Sequence, residues 1–356
     1  ACCTLRSEEM HMDKIRLTRF SHGAGCGCKL SPAVLHEILA GVDNSEVFES
    51  LVVGNDTKDD AAVVDMGDGS GIISTTDFFM PIVDDPRTFG RIAAANAISD
   101  IYAMGGTPLM AIAIFGWPLG KIPEYAASAV LDGGRSICSL AGIPLAGGHS
   151  IDCPEPIFGL AVTGRVLLKH LKSNASAVAG DRLYLTKPLG VGMLTTAEKK
   201  GVVEAVDLEL AVQSMQRLNS IGAQLSKIDG VHAMTDVTGF GLLGHLFELC
   251  EGSGLQAQLD LSSVPLLCGE RLRHYHDLGC VPGGSKRNWA SYGHHISDIE
   301  GFDRDVLCDP QTSGGLLLSV SPRDSRTVED ALASSGLPAQ SIGNLTVYEG
   351  EAYVSL

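Results

Sequence analysis

Short apolar runs alternate with longer runs of small and apolar residues along this chain of 356 residues. The short runs predict strands and the longer ones predict helices, because side chains repeat with period 2 in a strand and 3.6 in a helix. Up to residue 167, the predicted strands are 61–65, 71–76, 108–115, 144–146 and 158–167. The predicted helices in the same part are 31–40, 88–104 and 125–141.

A polar stretch at 168–180 interrupts this pattern and predicts a domain boundary. Beyond it, the predicted strands are 182–186, 231–235, 315–320 and further strands at the C-terminus. The predicted helices there are 208–227, 242–250 and 323–334. Both parts mix strands with helices, so we predict an α/β protein with an N-terminal segment 1–45, a domain 46–168 and a second α/β domain 169–356.

Composition and charge limit the kinds of partner that the chain can bind and the cellular location that it can have. The formal net charge of −16 argues against duplex nucleic acid or an anionic membrane as the main partner. The sequence shows no apolar run of about 18 residues, the length that a spanning helix needs, and no hydrophobic signal-peptide core near its start. Ten cysteines are too scattered for a disulfide scaffold. We therefore predict a cytoplasmic protein.

The segment Ser21–Lys29 concentrates reactive groups among glycines. Glycine lets a backbone move and approach a ligand closely, and the thiols of Cys26 and Cys28 lie near the Lys29 ammonium. A thiol beside a cation tends toward thiolate, which attacks electrophiles and binds soft atoms. The pattern predicts a flexible, reactive loop, and a floppy tail or half of a metal site are the alternatives.

Several aspartates are predicted at strand ends or on a buried helix. Asp60 precedes a predicted strand, whereas Asp77 and Asp236 end strands. Asp100 lies four residues after Asn96 on the alanine-rich helix 88–104, so both side chains share one helical face. Like charges that converge raise one another's pKa unless a cation lies between them. The pattern therefore predicts a Mg²⁺ site that bridges to substrate phosphates.

Two turns are candidate phosphate-binding segments. The turn 54–60 offers Thr57, Lys58 and backbone N–H groups, and Gly147–Ser150 follows a predicted strand. The sequence contains no Walker loop, and no Gly-x-Gly-x-x-Gly opens a helix after a strand.

Seven motifs in order resemble the selenophosphate synthetase (selenide, water dikinase) family. The similarity extends from about residue 15 to the C-terminus, and only the first fourteen residues fall outside it. The matching segments are Ser21–Lys29, Gly54–Asp60, Ser74–Pro81, Asn96–Gly106, Gly147–Asp152, Thr235–Gly244 and Cys308–Gly315.

The resemblance implies a two-domain fold like that of aminoimidazole ribonucleotide synthetase. The N-terminal domains, 46–168 here, would bind ATP and pair into a β-barrel in a homodimer. The implied reaction converts ATP, selenide and water to selenophosphate, AMP and orthophosphate. Its implied cofactor is Mg²⁺, with several ions per ATP, and K⁺ is a further candidate. Selenium would arrive as free selenide or from a selenium-delivering lyase.

The family's functional positions map onto this chain motif by motif. Cys26 and Lys29 correspond to the catalytic pair, and Cys26 would either carry selenium as a perselenide or guide selenide. The implied metal ligands are Asp60, Asp77, Asp100 and Asp236. The implied nucleotide contacts are Lys29, Thr57, Lys58, Asp59, Asp77, Asp100, Gly148, His149 and Ser150. In the family, the segment that corresponds to 148–150 reaches the ATP of the partner subunit.

Two other functions remain as alternatives. The aspartates alone also suit another ATP-dependent synthetase or kinase of the same superfold, such as a purine-pathway synthetase, a thiamine-phosphate kinase or a hydrogenase-maturation protein. The Cys26–Lys29 loop favours selenium, because phosphorylation of an amide or alcohol needs no thiol. A non-catalytic selenium-binding or thiol–metal module would bind selenium or zinc and form no AMP.

Overall fold

The computed structural model describes residues 15–29, 34, 37–38, 48–54 and 59–356. Thr57, Lys58 and most of the predicted helix 31–40 lie outside the described residues. Two six-stranded sheets form the framework of the described chain. Within that part of the chain, no helix is both long and apolar enough to cross a membrane.

The first sheet has the strand order β1-β2-β3-β6-β4-β5 and is antiparallel except for the parallel pair β4 and β5. Its strands are β1 (Leu51–Val53), β2 (Ala62–Asp65), β3 (Ser70–Phe79), β4 (Thr107–Trp117), β5 (Leu145–Asp152) and β6 (Ile157–Leu167). Two helices accompany it, α1 (Pro86–Ala103) and α2 (Glu124–Leu140). Helix α1 packs on β3 and β6, while the opposite face of the sheet carries exposed side chains.

Helices α1 and α2 touch through glycines. A Cβ atom at Gly90 would lie 1.9 Å from the carbonyl oxygen of Val130, and one at Gly133 would lie 2.0 Å from that of Arg87. Gly133 is unfavourable for an isolated helix, but here it permits backbone-to-backbone contact. The close contact helps to bury α1, as its alanine-rich sequence predicts.

The second sheet has the order β12-β9-β11-β7-β10-β8. Its strands are β7 (Arg182–Leu185), β8 (Val231–Asp236), β9 (Leu255–Leu259), β10 (Leu316–Val320), β11 (Ser341–Val347) and β12 (Val354–Ser355). The helices in this part are α3 (Val191–Lys200), α4 (Ala205–Gln216), α5 (Gly222–Leu225), α6 (Gly241–Ser253), α7 (Arg271–Asp277), α8 (Gly283–Tyr292), α9 (Gly301–Leu307) and α10 (Ser325–Ser334). Helix α1 contacts β8, α4 and α5, so it lies between the two sheets.

Three predicted elements need correction. The predicted helix 208–227 is two helices, because the chain is extended at Arg217, whose carbonyl oxygen accepts a hydrogen bond from Lys187. The predicted strand 144–146 does not stop before Gly147–Ser150 but continues to Asp152, since this segment pairs with β4. Strand β3 also runs two residues past Asp77.

Candidate active site

The turn that carries Cys26 is packed against both halves of the chain. Residues Gly25–Cys28 form a 3₁₀ turn in which the Gly25 N–H donates to the carbonyl oxygen of Met80 at 3.0 Å. The Cys26 N–H donates to Oγ1 of Thr312 at 3.1 Å. Gly25 has φ +50°, and a Cβ atom there would lie 2.3 Å from that same oxygen, so glycine is required. The packing leaves Cys26 only 1% exposed.

A buried amide connects this thiol to Asp77. Oδ1 of Asn96 accepts hydrogen bonds from Sγ of Cys26 at 3.2 Å and from the Ser313 N–H at 2.8 Å. Nδ2 of Asn96 donates to Oδ2 of Asp77 at 2.6 Å. Asn96 is fully buried, so these partners hold both ends of its amide in place.

Lys29 reaches the same carboxylate from the solvent side. Its Nζ lies 3.2 Å from Oδ2 of Asp77, and its side chain is 39% exposed. Burial lowers the pKa of Lys29, but the negative charges around it, with that of Asp77 foremost, raise this pKa above its usual value overall. The ammonium is therefore charged at neutral pH.

The surroundings of Cys26 in this conformation oppose the thiolate that the neighbouring ammonium favours. Burial raises the pKa of the Cys26 thiol and the charge of Asp77 raises it further, whereas Lys29 opposes them only in part. In this conformation the surroundings of Cys26 therefore favour the neutral thiol, although a cation lies close by. The sequence pattern shows only that an ammonium lies near the thiol, and it carries no information on the burial or on the neighbouring carboxylate.

Three further aspartates act electrostatically on one another. Oδ1 of Asp60 accepts from Oγ1 of Thr235 at 2.9 Å, and Oδ2 of Asp100 accepts from Oγ1 of Thr75 at 2.5 Å. Burial raises the pKa of both carboxyl groups, and the charge of Asp236 raises both further. Burial also raises the pKa of Asp236 itself.

These carboxylates leave oxygen atoms without partners. Oδ2 of Asp60 and Oδ2 of Asp236 are buried and accept no hydrogen bond from any described residue. Among the residues that the structure describes, however, no three His, Cys, Asp or Glu side chains form a group that could hold a metal ion by themselves. The metal-binding groups that this region offers are thus carboxylate oxygens. A cation bound to them would need further ligands to complete its coordination.

Comparison with known proteins identifies the relatives of this chain. Residues 58–166 match the family model of the AIR synthase related protein, N-terminal domain, and residues 178–354 match that of the C-terminal domain. "Selenide, water dikinase" of Aeromonas hydrophila is 56% identical over 345 residues, which cover 97% of this chain and 99% of that protein. The Shewanella sp. (strain MR-7) protein of the same name is 58% identical, covering 97% of each chain. The chain belongs to the selenide, water dikinase family. This finding confirms the resemblance drawn from the motifs.

More distant solved structures share the fold of this selenide, water dikinase family member. A thiamine-monophosphate kinase from Stenotrophomonas maltophilia K279a has 19% identity and a TM-score of 0.62, over 86% of this chain and 91% of its own. The structure of hydrogenase maturation protein HypE in complex with ATP has 17% identity and a TM-score of 0.63. The match covers 96% of this chain and 93% of the HypE chain. At these identities the similarity shows the two-domain fold with mixed α/β content, as the sequence predicts, and no more.

Some residues predicted from the family lie apart from the aspartates. Gly148, His149 and Ser150 are exposed on β5, and β6 and β4 separate this edge strand from β3, which carries Asp77. Asp59 instead contacts the segment between the sheets, since its carboxylate accepts from the Asn174 N–H at 2.7 Å.

Several further residues position these groups in this family member. Lys187 is buried, and its Nζ donates to the carbonyl oxygens of Arg217 at 2.7 Å and Ser313 at 2.8 Å. Burial lowers the pKa of Lys187 to about 7. Ser313 has φ +52° and presents its N–H to Asn96. Thr312 and Ser313 lie within the motif Cys308–Gly315, so the sequence did point to their region. Lys187 lies in none of the motifs.

Proposed function

We propose that this protein converts selenide, ATP and water to selenophosphate, AMP and orthophosphate, and so supplies activated selenium for selenocysteine and selenouridine synthesis. One observation carries the proposal: in a chain 56–58% identical to proteins named selenide, water dikinase, the Cys26 thiol and the Lys29 ammonium both connect to Asp77. A soft sulfur group beside phosphate-binding charges suits the transfer of a phosphoryl group to selenium.

The aspartates are proposed to bind Mg²⁺ together with the phosphates of ATP. Asp60 and Asp236 each have a buried oxygen without a partner, and the described side chains complete no metal site alone. Such residues fit Mg²⁺, which takes carboxylate oxygens and fills the remaining positions with phosphate and water. When bound, Mg²⁺ would neutralise the charge of the phosphates and that of the carboxylates. Asp77 and Asp100 are the further proposed ligands, and any use of K⁺ stays a prediction.

The chain's own residues would orient the reactants and exclude water. Lys29 would place positive charge beside the transferred phosphoryl group. Asn96 holds the Cys26 thiol, and the turn that carries it is held by the hydrogen bonds of its backbone to Met80 and Thr312. Hydrogen selenide would attack the γ-phosphoryl group of ATP and displace ADP, and water would then cleave the bound ADP to AMP and phosphate. The turn would open for the substrates and close to keep water from competing with selenide.

Phosphorus NMR of the anaerobic protein with Mg²⁺–ATP tests the function. We expect a new ³¹P resonance with ⁷⁷Se coupling that appears only with selenide, together with an equal amount of AMP. A selenide-independent ADP signal would instead favour another ATP-dependent enzyme of this superfold. Bound selenium or zinc without AMP would favour the non-catalytic module.

The exposed face of the first sheet supports the homodimer as part of the proposal. Strand pairing puts five exposed apolar side chains on the sheet face opposite Asp77: Val64, Phe78, Met110, Ile112 and Ile151. Several exposed apolar side chains on one sheet face are typical of an interface. His149 lies on the same face, as expected if residues 148–150 reach the partner's ATP.

Ile112→Glu is expected to convert the dimer to monomers, because it would bury a carboxylate in the apolar interface. Light scattering after gel filtration would show the mass fall by half, and a monomer would also lose turnover. Leu140→Glu is the matched control, because Leu140 is 67% exposed, against 44% for Ile112, but lies at the end of α2. An unchanged mass for Ile112→Glu would contradict this interface.

The remaining assignments stay predictions from the sequence. They are the domain limits at 45 and 168, the nucleotide contacts at Thr57, Lys58 and Asp59, the cytoplasmic location and a selenium-delivering lyase as the donor.

A further inference from the structure

A cavity lies behind the turn that carries Cys26. Its volume is about 270 Å³, it opens to solvent, and it lies between Gly25–Cys28, α3 and the start of α8. Its lining includes Gly27, Lys199, Gly283, Gly284 and Arg287. None of the aspartates proposed above to bind Mg²⁺ lines it, so the cavity is separate from the phosphate-binding region.

A second, much smaller pocket connects this cavity to the reactive groups. Its volume is about 10 Å³, and Cys26 and Lys29 line it. The two spaces share Gly27, Gly284 and Arg287 as lining residues, so they meet at this boundary. A volume of about 10–15 Å³ accommodates one water-sized ligand. The small pocket is therefore at the lower limit for one water-sized ligand, so the turn must move before hydrogen selenide, which is larger than water, reaches Cys26.

The outer cavity, defined as the 270 Å³ space, favours anions. No carboxylate of the described residues lines it, although the whole chain has a net charge of −16. Lys199 and Arg287 line it, and neither forms a salt bridge with any carboxylate of the described residues. The first residues of the ten-residue helix α8, Gly283 and Gly284, also line the cavity, where the helix dipole adds partial positive charge.

Arg287 also holds the boundary between the two spaces. Its Nη2 donates to the carbonyl oxygen of Gly27 at 2.9 Å, next to Cys26 in the chain. A guanidinium that attracts an anion and also holds the turn would couple arrival of the anion to movement of the turn. The other cation, Lys199, makes no hydrogen bond to the turn in the described chain.

We propose that the outer cavity and the small pocket form the route by which the hydrogen selenide anion reaches Cys26, with Lys199 and Arg287 as the cations that attract it. The inference rests on the proposed function for the identity of the anion. Charge selection itself does not depend on turnover, so it can be tested without ATP.

Alkylation of Cys26 provides that test in the full-length protein. The Cys26 thiolate attacks the methylene carbon of iodoacetate and of iodoacetamide alike and displaces iodide, so the ratio of the two rates cancels the thiol's pKa and any change in how often the turn opens. We expect Lys199→Gln and Arg287→Gln to lower the ratio of iodoacetate to iodoacetamide modification by roughly threefold to tenfold, as loss of electrostatic attraction predicts. Fragmentation of the modified peptide in tandem mass spectrometry separates Cys26 from Cys28 and from the other cysteines.

Two variants control for loss of charge and loss of the hydrogen bond. Lys286→Gln removes a neighbouring exposed charge on α8 that does not line the cavity, so it should leave the ratio unchanged. Arg287→Lys keeps the charge and should preserve the ratio. An equal ratio in the wild type, Lys199→Gln and Arg287→Gln would overturn the proposal.

Steady-state turnover identifies the anion. We expect the KM for selenide to rise severalfold in Lys199→Gln, with the KM for ATP and the kcat at saturating selenide unchanged. If the KM for selenide stays constant while orthophosphate slows iodoacetate modification, the cavity serves product phosphate and the selenide route is wrong. If the ratio falls but no variant and no wild-type sample makes selenophosphate, the proposed function fails, and selenide as the anion fails with it.

Discussion

Cys26→Ser is expected to lower selenide-dependent selenophosphate formation by at least about 100-fold, which corresponds to about 2.7 kcal/mol of transition-state stabilisation. Serine keeps a donor for Oδ1 of Asn96, so the buried hydrogen-bond network should persist. The change removes the polarizable sulfur, which can bind or carry selenium. The loss would therefore report on sulfur chemistry and not on packing.

Equilibrium binding separates this effect from damage to the nucleotide site. Mg²⁺–ATP affinity should stay within about twofold of the wild type, because Cys26 is not among the groups proposed to contact phosphate. Cys268→Ser is the matched control, since Cys268 is a partly exposed free thiol outside both spaces near Cys26. Full selenide-dependent turnover by Cys26→Ser would show that the sulfur is not required.

Local sequence signals predicted much of the fold because they depend on neighbours in the chain. The alanine-rich run at 88–104 indicated a buried helix, and α1 spans Pro86–Ala103. The predicted strand ends were wrong where pairing with a neighbouring strand decides how long the strand is. Gly147–Ser150 resembles a turn in sequence, yet Gly148 pairs with Ala113, whose carbonyl oxygen would lie 2.2 Å from a Cβ atom at residue 148.

The active site shows the same division between local and long-range information. Asp100 and Asn96 were predicted to share a helical face, but the sequence could not show that Asn96 contacts Cys26, 70 residues away, and Ser313, 217 residues away. The pKa of the Cys26 thiol depends on burial and on Asp77, which only the fold brings close. Lys187 belongs to no motif. It is placed by the end of β7, which lies two residues before it, and no sequence pattern indicated it.

Asn96→Ala is expected to remove the amide that connects the Cys26 thiol to Asp77 and to lower turnover about 10- to 100-fold, since small displacements of reacting groups reduce rates steeply. Three groups lose a partner at once: Sγ of Cys26, Oδ2 of Asp77 and the Ser313 N–H. Unpaired buried groups cost about 1–3 kcal/mol, so the free energy of unfolding should also fall.

The ratio of the two effects distinguishes positioning from stability. Ser226→Ala is the control, because Oγ of Ser226 is buried and donates to the carbonyl oxygen of Gly105, outside the groups that contact Cys26. It should lower the free energy of unfolding by about 1 kcal/mol and leave turnover unchanged. Asn96→Ala should in addition speed the reaction of Cys26 with iodoacetamide, because the thiol loses the acceptor that holds it. If alanine at position 96 lowers stability but leaves both turnover and Cys26 reactivity as in the wild type, Asn96 serves only the fold. A loss of turnover together with a more reactive thiol would place Asn96 among the residues that position the selenium-handling group.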